Sequence, residues 1–195
     1  MEDVNEKKRE IVNEINKQLE VYSEEELSAK LQAVEDRLFE FANFLEAGIA
    51  LFYVTRGSEV ETKAIIKRAI ENGTKVALPL VDRENNKTTL FKIDNPDTDL
   101  VMNEDNIPEP DADKCKALSA EQIDIAIIPG VAFDEKGGRI GVVDNFYDKF
   151  VAKLPVTTRK VALAFEEQVV TVVPADSRSK HIDIIVTDKR TIYKI

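Results

Sequence analysis

Polar residues fill positions 3–20, and Ile11, Ile15 and Leu19 recur among them every fourth position. That spacing predicts a helix with one narrow apolar stripe. Ser23-Glu24-Glu25-Glu26 then has the form of a capping box. It opens a second predicted helix, in which Leu27, Leu31, Val34, Leu38, Phe41 and Leu45 alternate steps of four and three. Such a stripe packs flat on something large, such as a sheet. Gly48 is expected to end the helix.

The pattern then shortens. Ile49 to Val54 is an apolar run of strand length, Arg56-Gly57-Ser58 a turn, and Glu59-Val60-Glu61-Thr62 the expected start of the next helix. Ile65, Ile66, Ala69 and Ile70 form that helix's inner face, and Asn72-Gly73 its stop. Lys75 to Leu80 reads as a strand expected to end at Pro79. Strand, helix, strand implies a right-handed parallel crossover. Thr88 to Ile93 alternates like a half-exposed strand. The polar segment from Asp94 to Ser119 includes Ile107-Pro108-Glu109-Pro110. It is too long for a simple connection and is expected to wrap the domain or border a site.

The stretch from Ile127 to Phe150 organises the rest. An apolar strand, Ile125 to Ile128, stops at Pro129-Gly130. Gly137-Gly138 makes a tight turn, Arg139 supplies a fixed cation, and Gly141 lets backbone approach a ligand. Helical spacing follows at Phe146, Tyr147 and Phe150, predicting a helix near 145–153. A strand leading through a glycine-containing loop into a helix is where α/β proteins bind phosphates. Lys160 to Phe165, Val169 to Val173 and Ile182 to Val186 are further strand-like runs. Asp188-Lys189-Arg190 turns into a closing strand, Thr191 to Ile195.

This order predicts a three-layer, Rossmann-like α/β fold. A mainly parallel sheet carries helices on both faces, with the N-terminal helices packed on it. Residues 1–195 show no internal repeat or low-complexity linker, so a single domain is expected. Ligands in such sheets bind outside the carboxyl ends of the strands. The loops after Val54, Leu80 and Ile128 should share one rim, bringing Glu59, Pro79 and Arg139 together.

Composition narrows the function. At 195 residues and 43% hydrophobic content, the chain can build a real core. No apolar run reaches the roughly eighteen residues of a membrane span. The acidic start, Met1 to Glu6, lacks the apolar centre of a secretion signal. One cysteine, Cys115, fits a reducing cytoplasm, and the single His181 excludes a multi-histidine metal site. A net charge of −10 disfavours nucleic acid as a partner. A polyanionic ligand would need local cations, which cluster at Lys7-Lys8-Arg9, Arg139, Arg159-Lys160 and Arg178 to Lys180. Any one of these clusters, taken alone, reads better as a solvated face.

Several short motifs fall in one order along nearly the whole chain: Lys7, Lys8 and Arg9; Glu59-Val60-Glu61-Thr62; Val76-Ala77-Leu78-Pro79; Ile107-Pro108-Glu109-Pro110; Pro129-Gly130-Val131-Ala132-Phe133-Asp134; Gly138-Arg139-Ile140-Gly141; Tyr147-Asp148; and Gln168, Pro174, Asp183 and Thr187. In that order and spacing the chain resembles the 5-formyltetrahydrofolate cyclo-ligase family. The resemblance implies ATP-dependent conversion of 5-formyltetrahydrofolate into 5,10-methenyltetrahydrofolate. ATP, with Mg²⁺, would phosphorylate the formyl oxygen; nitrogen attack would then close the ring and phosphate would leave. It implies Arg139 and Tyr147 as catalytic residues, with Lys8, Arg9, Gly138, Arg139, Gly141 and Asn145 at ATP. Glu59, Phe133, Phe146 and Tyr147 would meet the reduced folate, and Asp148 would hold Mg²⁺, which favours oxygen ligands. A monomer or weak homodimer, free of membrane and nucleic acid, is expected.

Each role has a plainer counterpart. Lys8 and Arg9 can serve only to solvate a helix, and Glu59 to favour a helix N-terminus. Asp148 can pair with a lysine, and the aromatic residues can be core. The chain also departs from the family pattern. Val143 and Asn145 replace loop glycines, Phe146 replaces the first tyrosine of a pair, and Arg178-Ser179 replaces a His-Asp pair. A non-catalytic or regulatory relative that binds folate or nucleotide is the alternative, and an enzyme of the same fold with another substrate is a third reading. If Arg139 cradles phosphate, Arg139→Ala is expected to weaken ATP binding with nearly unchanged melting temperature.

Overall fold

The computed structural model describes residues 2–82, 85, 87–142, 146–174 and 182–195. It begins with α1 (Glu2–Glu20), α2 (Glu24–Glu40) and α3 (Ala42–Leu45). The capping box forms as expected: Ser23 Oγ accepts from the Glu26 amide at 3.2 Å, and the Glu26 carboxylate accepts from the Ser23 amide at 2.8 Å. The predicted helix from Leu27 to Leu45 does not stay whole. It breaks at Phe41, whose backbone is extended (φ −77°, ψ 114°). The break turns Phe44 inward, against Phe39 and Phe52 with ring centroids 5.2 and 6.1 Å apart. Leu45, expected on the inner stripe, is left 62% exposed.

The sheet elements follow as β1 (Ile49–Leu51), α4 (Lys63–Glu71), β2 (Lys75–Asp82), β3 (Lys87–Ile93), β4 (Leu100–Met102), β5 (Pro108–Pro110), β6 (Ala117–Leu118), β7 (Ile125–Ile127), β8 (Ala132–Phe133), β9 (Arg139–Ile140), α5 (Phe146–Val151), β10 (Arg159–Ala164), β11 (Ile184–Thr187) and β12 (Thr191–Tyr193). An eight-stranded sheet runs β12-β11-β10-β7-β1-β2-β3-β6. Its five central strands are parallel, and β12, β3 and β6 add antiparallel edges. The mainly parallel expectation is met.

The two faces read off the strand alternation. Ala50, Phe52, Val76, Leu78, Ile125, Ile127, Val161 and Leu163 point to one face, where Val34 and Leu38 of α2 and Ile65, Ile66 and Ala69 of α4 cover them. Leu51, Ala77, Ala126, Ile128 and Ala162 point to the other, where Phe150, Val151 and Leu154 cover them. A smaller cluster joins Ile15 of α1 to Val131, Ala132, Ile140 and Val173. Among the described residues no helix is long and apolar enough to cross a membrane.

Other expectations fail for identifiable reasons. β2 does not end at Pro79; it continues to Asp82 and pairs antiparallel with β3, Pro79 opposite Leu90. Pairing with β1 stops at Ala77, so the missing N–H of Pro79 faces no ladder on that side. Glu59 to Thr62 is not helical, because Thr62 is tied back to the strand end. Its Oγ1 donates to the Tyr53 carbonyl at 2.6 Å and its amide donates to Thr55 Oγ1 at 2.9 Å. α4 therefore starts at Lys63. Among the described residues Val169 to Val173 forms only one bridge, Val169 to Phe133, after a 3₁₀ turn at Glu166–Gln168. The segment from Asp94 to Ser119 holds the β4–β5 hairpin and β6.

Candidate active site

Two parallel neighbours, β1 and β7, deliver the central loops to one rim. The loop after β7 is not a simple phosphate turn. It folds into the β8–β9 hairpin, with Asp134 Oδ1 accepting from the amides of Lys136 (2.9 Å) and Gly138 (2.8 Å). Asp134 Oδ2 accepts from the Val173 amide at 2.8 Å, pinning the hairpin to the chain that follows β10.

The hairpin aims Arg139 inward. Its side chain is only 6% exposed, and Nη1 donates to the Pro129 carbonyl at 2.6 Å. The guanidinium lies 5.9 Å from the centre of the Tyr147 ring, within cation–π range. Two glycines make room for this arginine. A Cβ on Gly141 would sit 2.6 Å from Arg139 Nη1, and one on Gly130 would meet the Phe133 ring at 2.6 Å and Arg139 Cγ at 3.1 Å. Gly141 was expected to let backbone approach a ligand, and the group it admits here is Arg139. Gly130→Ala should lower stability by about 1–3 kcal/mol, read by urea unfolding, since neither the buried ring nor the pinned arginine yields easily.

Glu59 completes the cluster. Its Oε2 accepts from the Arg56 amide at 3.0 Å, closing a tight turn over Arg56 to Glu59. Burial pushes its carboxyl up to about 7, opposed by the Arg56 amide and by the positive charges of Arg139 and Arg56. Burial also pushes the Tyr147 hydroxyl up, with the Glu59 charge adding to it. The Tyr147 oxygen is buried, and among the described residues it has no hydrogen-bond partner. The site thus gathers a carboxyl near neutrality, a fixed cation and an available phenol. These groups can move a proton at neutral pH and steady developing negative charge.

The segment from Thr55 to Thr62 separates two clefts. One, about 640 Å³, is polar and runs between Lys8, Arg9 and Asn16 of α1 on one wall and Ser58, Gly141 and Val142 on the other. Ser58 Oγ donates to Asn16 Oδ1 at 2.6 Å, joining helix to turn. The second, about 380 Å³, is more apolar and lies between Thr62 and Ile66 on one side and Leu100, Met102 and Pro108 of the β4–β5 hairpin on the other.

Of the residues singled out from sequence, Glu59, Arg139, Gly141 and Tyr147 come together, with Lys8 and Arg9 across the polar cleft. Pro79 lies within β2 rather than at the rim. Gly138 is turned away from the cleft, its amide taken by Asp134. Phe133 is fully buried, its ring part of the core cluster that contains Leu51 and Ile128, so it offers no ligand surface. Phe146 and Asp148 fall on α5, but their side chains lie outside the described residues. Val143, Asn145, Arg178 and Ser179 also lie outside them. The segment from Asp94 to Ser119, expected to wrap the domain or border a site, borders the apolar cleft through its hairpin, whose residues were given no role in the sequence. The hairpin's only signal was the Pro-Glu-Pro segment in an overlong connection.

The model of the 5-formyltetrahydrofolate cyclo-ligase family matches residues 4–188. The chain belongs to the 5-formyltetrahydrofolate cyclo-ligase family. Among cyclo-ligases, the Escherichia coli K12 enzyme is 28% identical over 160 residues, covering 82% of this chain and 88% of that protein. A probable cyclo-ligase of Caenorhabditis elegans is 27% identical over 185 residues, 87% of each. The solution structure of a 5,10-methenyltetrahydrofolate synthetase from Aquifex aeolicus superposes with a TM-score of 0.80 at 25% identity, covering 95% of this chain and 92% of that one. A methenyltetrahydrofolate synthetase from Mycoplasma pneumoniae shares the fold, with a TM-score of 0.70 at 18% identity over 93% and 98% of the two chains. The resemblance read from the motifs is therefore correct, and the mainly parallel α/β fold is that of the cyclo-ligases.

Proposed function

We infer that this protein is an ATP-dependent ligase that converts 5-formyltetrahydrofolate into 5,10-methenyltetrahydrofolate. Membership of the cyclo-ligase family supports the reaction. The observation that carries the assignment of residues is the place of Glu59 between Gly57 and Ser58, which line the polar cleft, and Glu61 and Thr62, which line the apolar one. A reaction between a nucleotide and a flat, largely apolar folate needs such a divide, with reacting groups at the boundary.

In this reading ATP lies in the polar cleft, its phosphates towards Lys8 and Arg9, and supplies the phosphoryl group. The folate enters from the apolar cleft. Glu59, near neutrality, exchanges hydrogen bonds and a proton with the ring N–H edge. Arg139 steadies negative charge from its pinned position beside Gly141. The Tyr147 hydroxyl donates to a ligand oxygen without first breaking another bond.

Among the described residues no three carboxylate, histidine or cysteine groups gather as a metal site. Mg²⁺ held mostly by nucleotide phosphates and water needs only one or two protein oxygens, and fits that arrangement. Asp148 is our candidate for one of them. We treat residues 1–195 as one domain, since the sheet draws strands from both halves of the chain, acting in the cytoplasm as a monomer or weak homodimer.

The test mixes protein, ATP, Mg²⁺ and 5-formyltetrahydrofolate and follows absorbance of the methenyl product. Product above background is expected. Retained ATP binding by calorimetry with no product would overturn the assignment. Removing Lys8 and Arg9 together should raise the KM for ATP by about tenfold or more, as loss of charge-assisted phosphate contacts predicts, with little change in the KM for folate.

A further inference from the structure

We propose that Gln168 is the positioning residue of the reaction centre, setting where Glu59 stands relative to Arg139. The inference rests on the reading of Glu59 and Arg139 given above.

Gln168 is fully buried and uses its whole amide. Its Nε2 donates both hydrogens, to the Ser58 carbonyl at 2.9 Å and to the Val131 carbonyl at 3.0 Å. Its Oε1 accepts from the Phe165 amide at 2.8 Å. Only this amide orientation satisfies all three groups, because two carbonyls need donors and one N–H needs an acceptor. The side chain thus staples the turn after β1 to the loop after β7, from the loop after β10.

Both stapled residues adjoin the site. Ser58 precedes Glu59. Val131 follows Pro129-Gly130, and the Pro129 carbonyl holds the Arg139 guanidinium. The amide of Val131 is taken by the Ile140 carbonyl at 2.7 Å, next to Arg139 in β9. A shift of either loop therefore changes the spacing of Glu59 and Arg139.

The 3₁₀ turn that carries Gln168 is itself anchored from behind. Glu166 accepts from Thr187 Oγ1 at 2.8 Å and from Arg190 Nε at 2.8 Å. Glu167 accepts from the Tyr22 hydroxyl at 2.7 Å and from Lys30 Nζ at 3.0 Å. These contacts reach α2, the residues between α1 and α2, the end of β11 and the turn that follows it. They hold the turn at several independent points, and Gln168 alone reaches from it to the two rim loops.

The experiment compares wild type with Gln168→Met, which keeps the length, and Gln168→Leu, which is shorter; both remove the donors and the acceptor and add no charge. Glu167→Gln serves as a control that weakens the anchoring without touching either rim loop. The Glu59 carboxyl is followed by ¹³C NMR across pH, with Glu59→Gln identifying its resonance; Arg56, Arg139, Tyr53 and Tyr147 are the ionisable groups that face it. Freeing the turn admits water to the carboxyl. In both Gln168 variants it should titrate about one unit or more below wild type, towards an ordinary glutamate. Turnover should fall by about tenfold or more, as expected of a misplaced reacting group, with the KM for ATP held within about twofold. Glu167→Gln should lower the melting temperature and leave the Glu59 titration and turnover as in wild type. Wild-type titration in whichever Gln168 variant folds would overturn the proposal, as would turnover reduced only in proportion to the unfolded fraction. If wild type itself makes no product, the functional reading falls, and the NMR titration still decides the role of Gln168.

Discussion

Arg139→Ala is expected to abolish measurable turnover and to lower the melting temperature by about 6–12 °C, the shift that about 3 kcal/mol produces in a chain of this size. The sequence alone pointed to a nearly unchanged melting temperature, as for an exposed phosphate-binding arginine. Burial reverses that expectation. The side chain is 6% exposed, bonded to the Pro129 carbonyl, stacked near the Tyr147 ring and seated where Gly130 and Gly141 leave space. Alanine leaves a cavity, an unsatisfied carbonyl and a buried carboxyl without its cation, each worth on the order of 1–3 kcal/mol. Arg139→Lys keeps the charge and loses the planar fork, so it should recover part of the stability and little of the rate. Thermal unfolding of the two variants beside the absorbance assay separates these effects. A melting temperature unchanged in Arg139→Ala would mean that the guanidinium is not held as described.

Glu59→Gln should remove activity by about a hundredfold or more, the usual worth of a positioned proton-transfer group. It should also make the protein more stable above neutral pH. The carboxyl is raised from an ordinary 4.5 to about 7 on folding. Between those values the folded chain holds a proton that the unfolded chain has lost, so stability falls as pH rises from about 4.5 to 7 and is level above it. At about 1.4 kcal/mol per unit, the wild type gives up at most about 3 kcal/mol across that window. The amide cannot ionise, so Glu59→Gln should escape the loss, matching wild type near pH 4.5 and exceeding it at pH 8. Urea unfolding at the two pH values measures the difference. Equal stability of the two proteins at pH 8 would contradict a raised Glu59. In the wild type, kcat/KM should show an inflection near pH 7.

Much of this was readable in the sequence because it is local. The capping box, the apolar stripe of α4 and the apolar runs of β1, β7 and β10 follow from spacing alone. The motif order carried the family, and the shared rim of a parallel sheet brought Glu59 and Arg139 together but not Pro79, which lies within β2. What was not readable depended on distant partners. The break at Phe41 serves Phe52, which lies beyond the helix. The unwound start of α4 is set by the Tyr53 carbonyl and Thr55, on the chain leaving β1. The buried state of Phe133 and Arg139 is set by which way the β8–β9 hairpin folds, and no periodicity in so short a stretch records that. Gln168 stood out in sequence only as part of a motif, and its role was not readable, since the carbonyls it bonds lie at Ser58 and Val131.

The placement of α1 has a consequence for the order in which the molecule is assembled. Its one buried stripe residue, Ile15, packs on Val131, Ala132, Ile140 and Val173, all made more than a hundred residues later. Until those residues are in place, α1 lacks the apolar surface on which Ile15 settles. Its capture closes very long loops, and long-range closure comes late in folding. Lys8 and Arg9 ride on that helix, so the basic wall of the polar cleft is the last part of the site to be built. A chain that lacks Val131 to Val173 therefore presents the basic residues of α1 without the wall they face, and the polar cleft is complete only when that segment is in place.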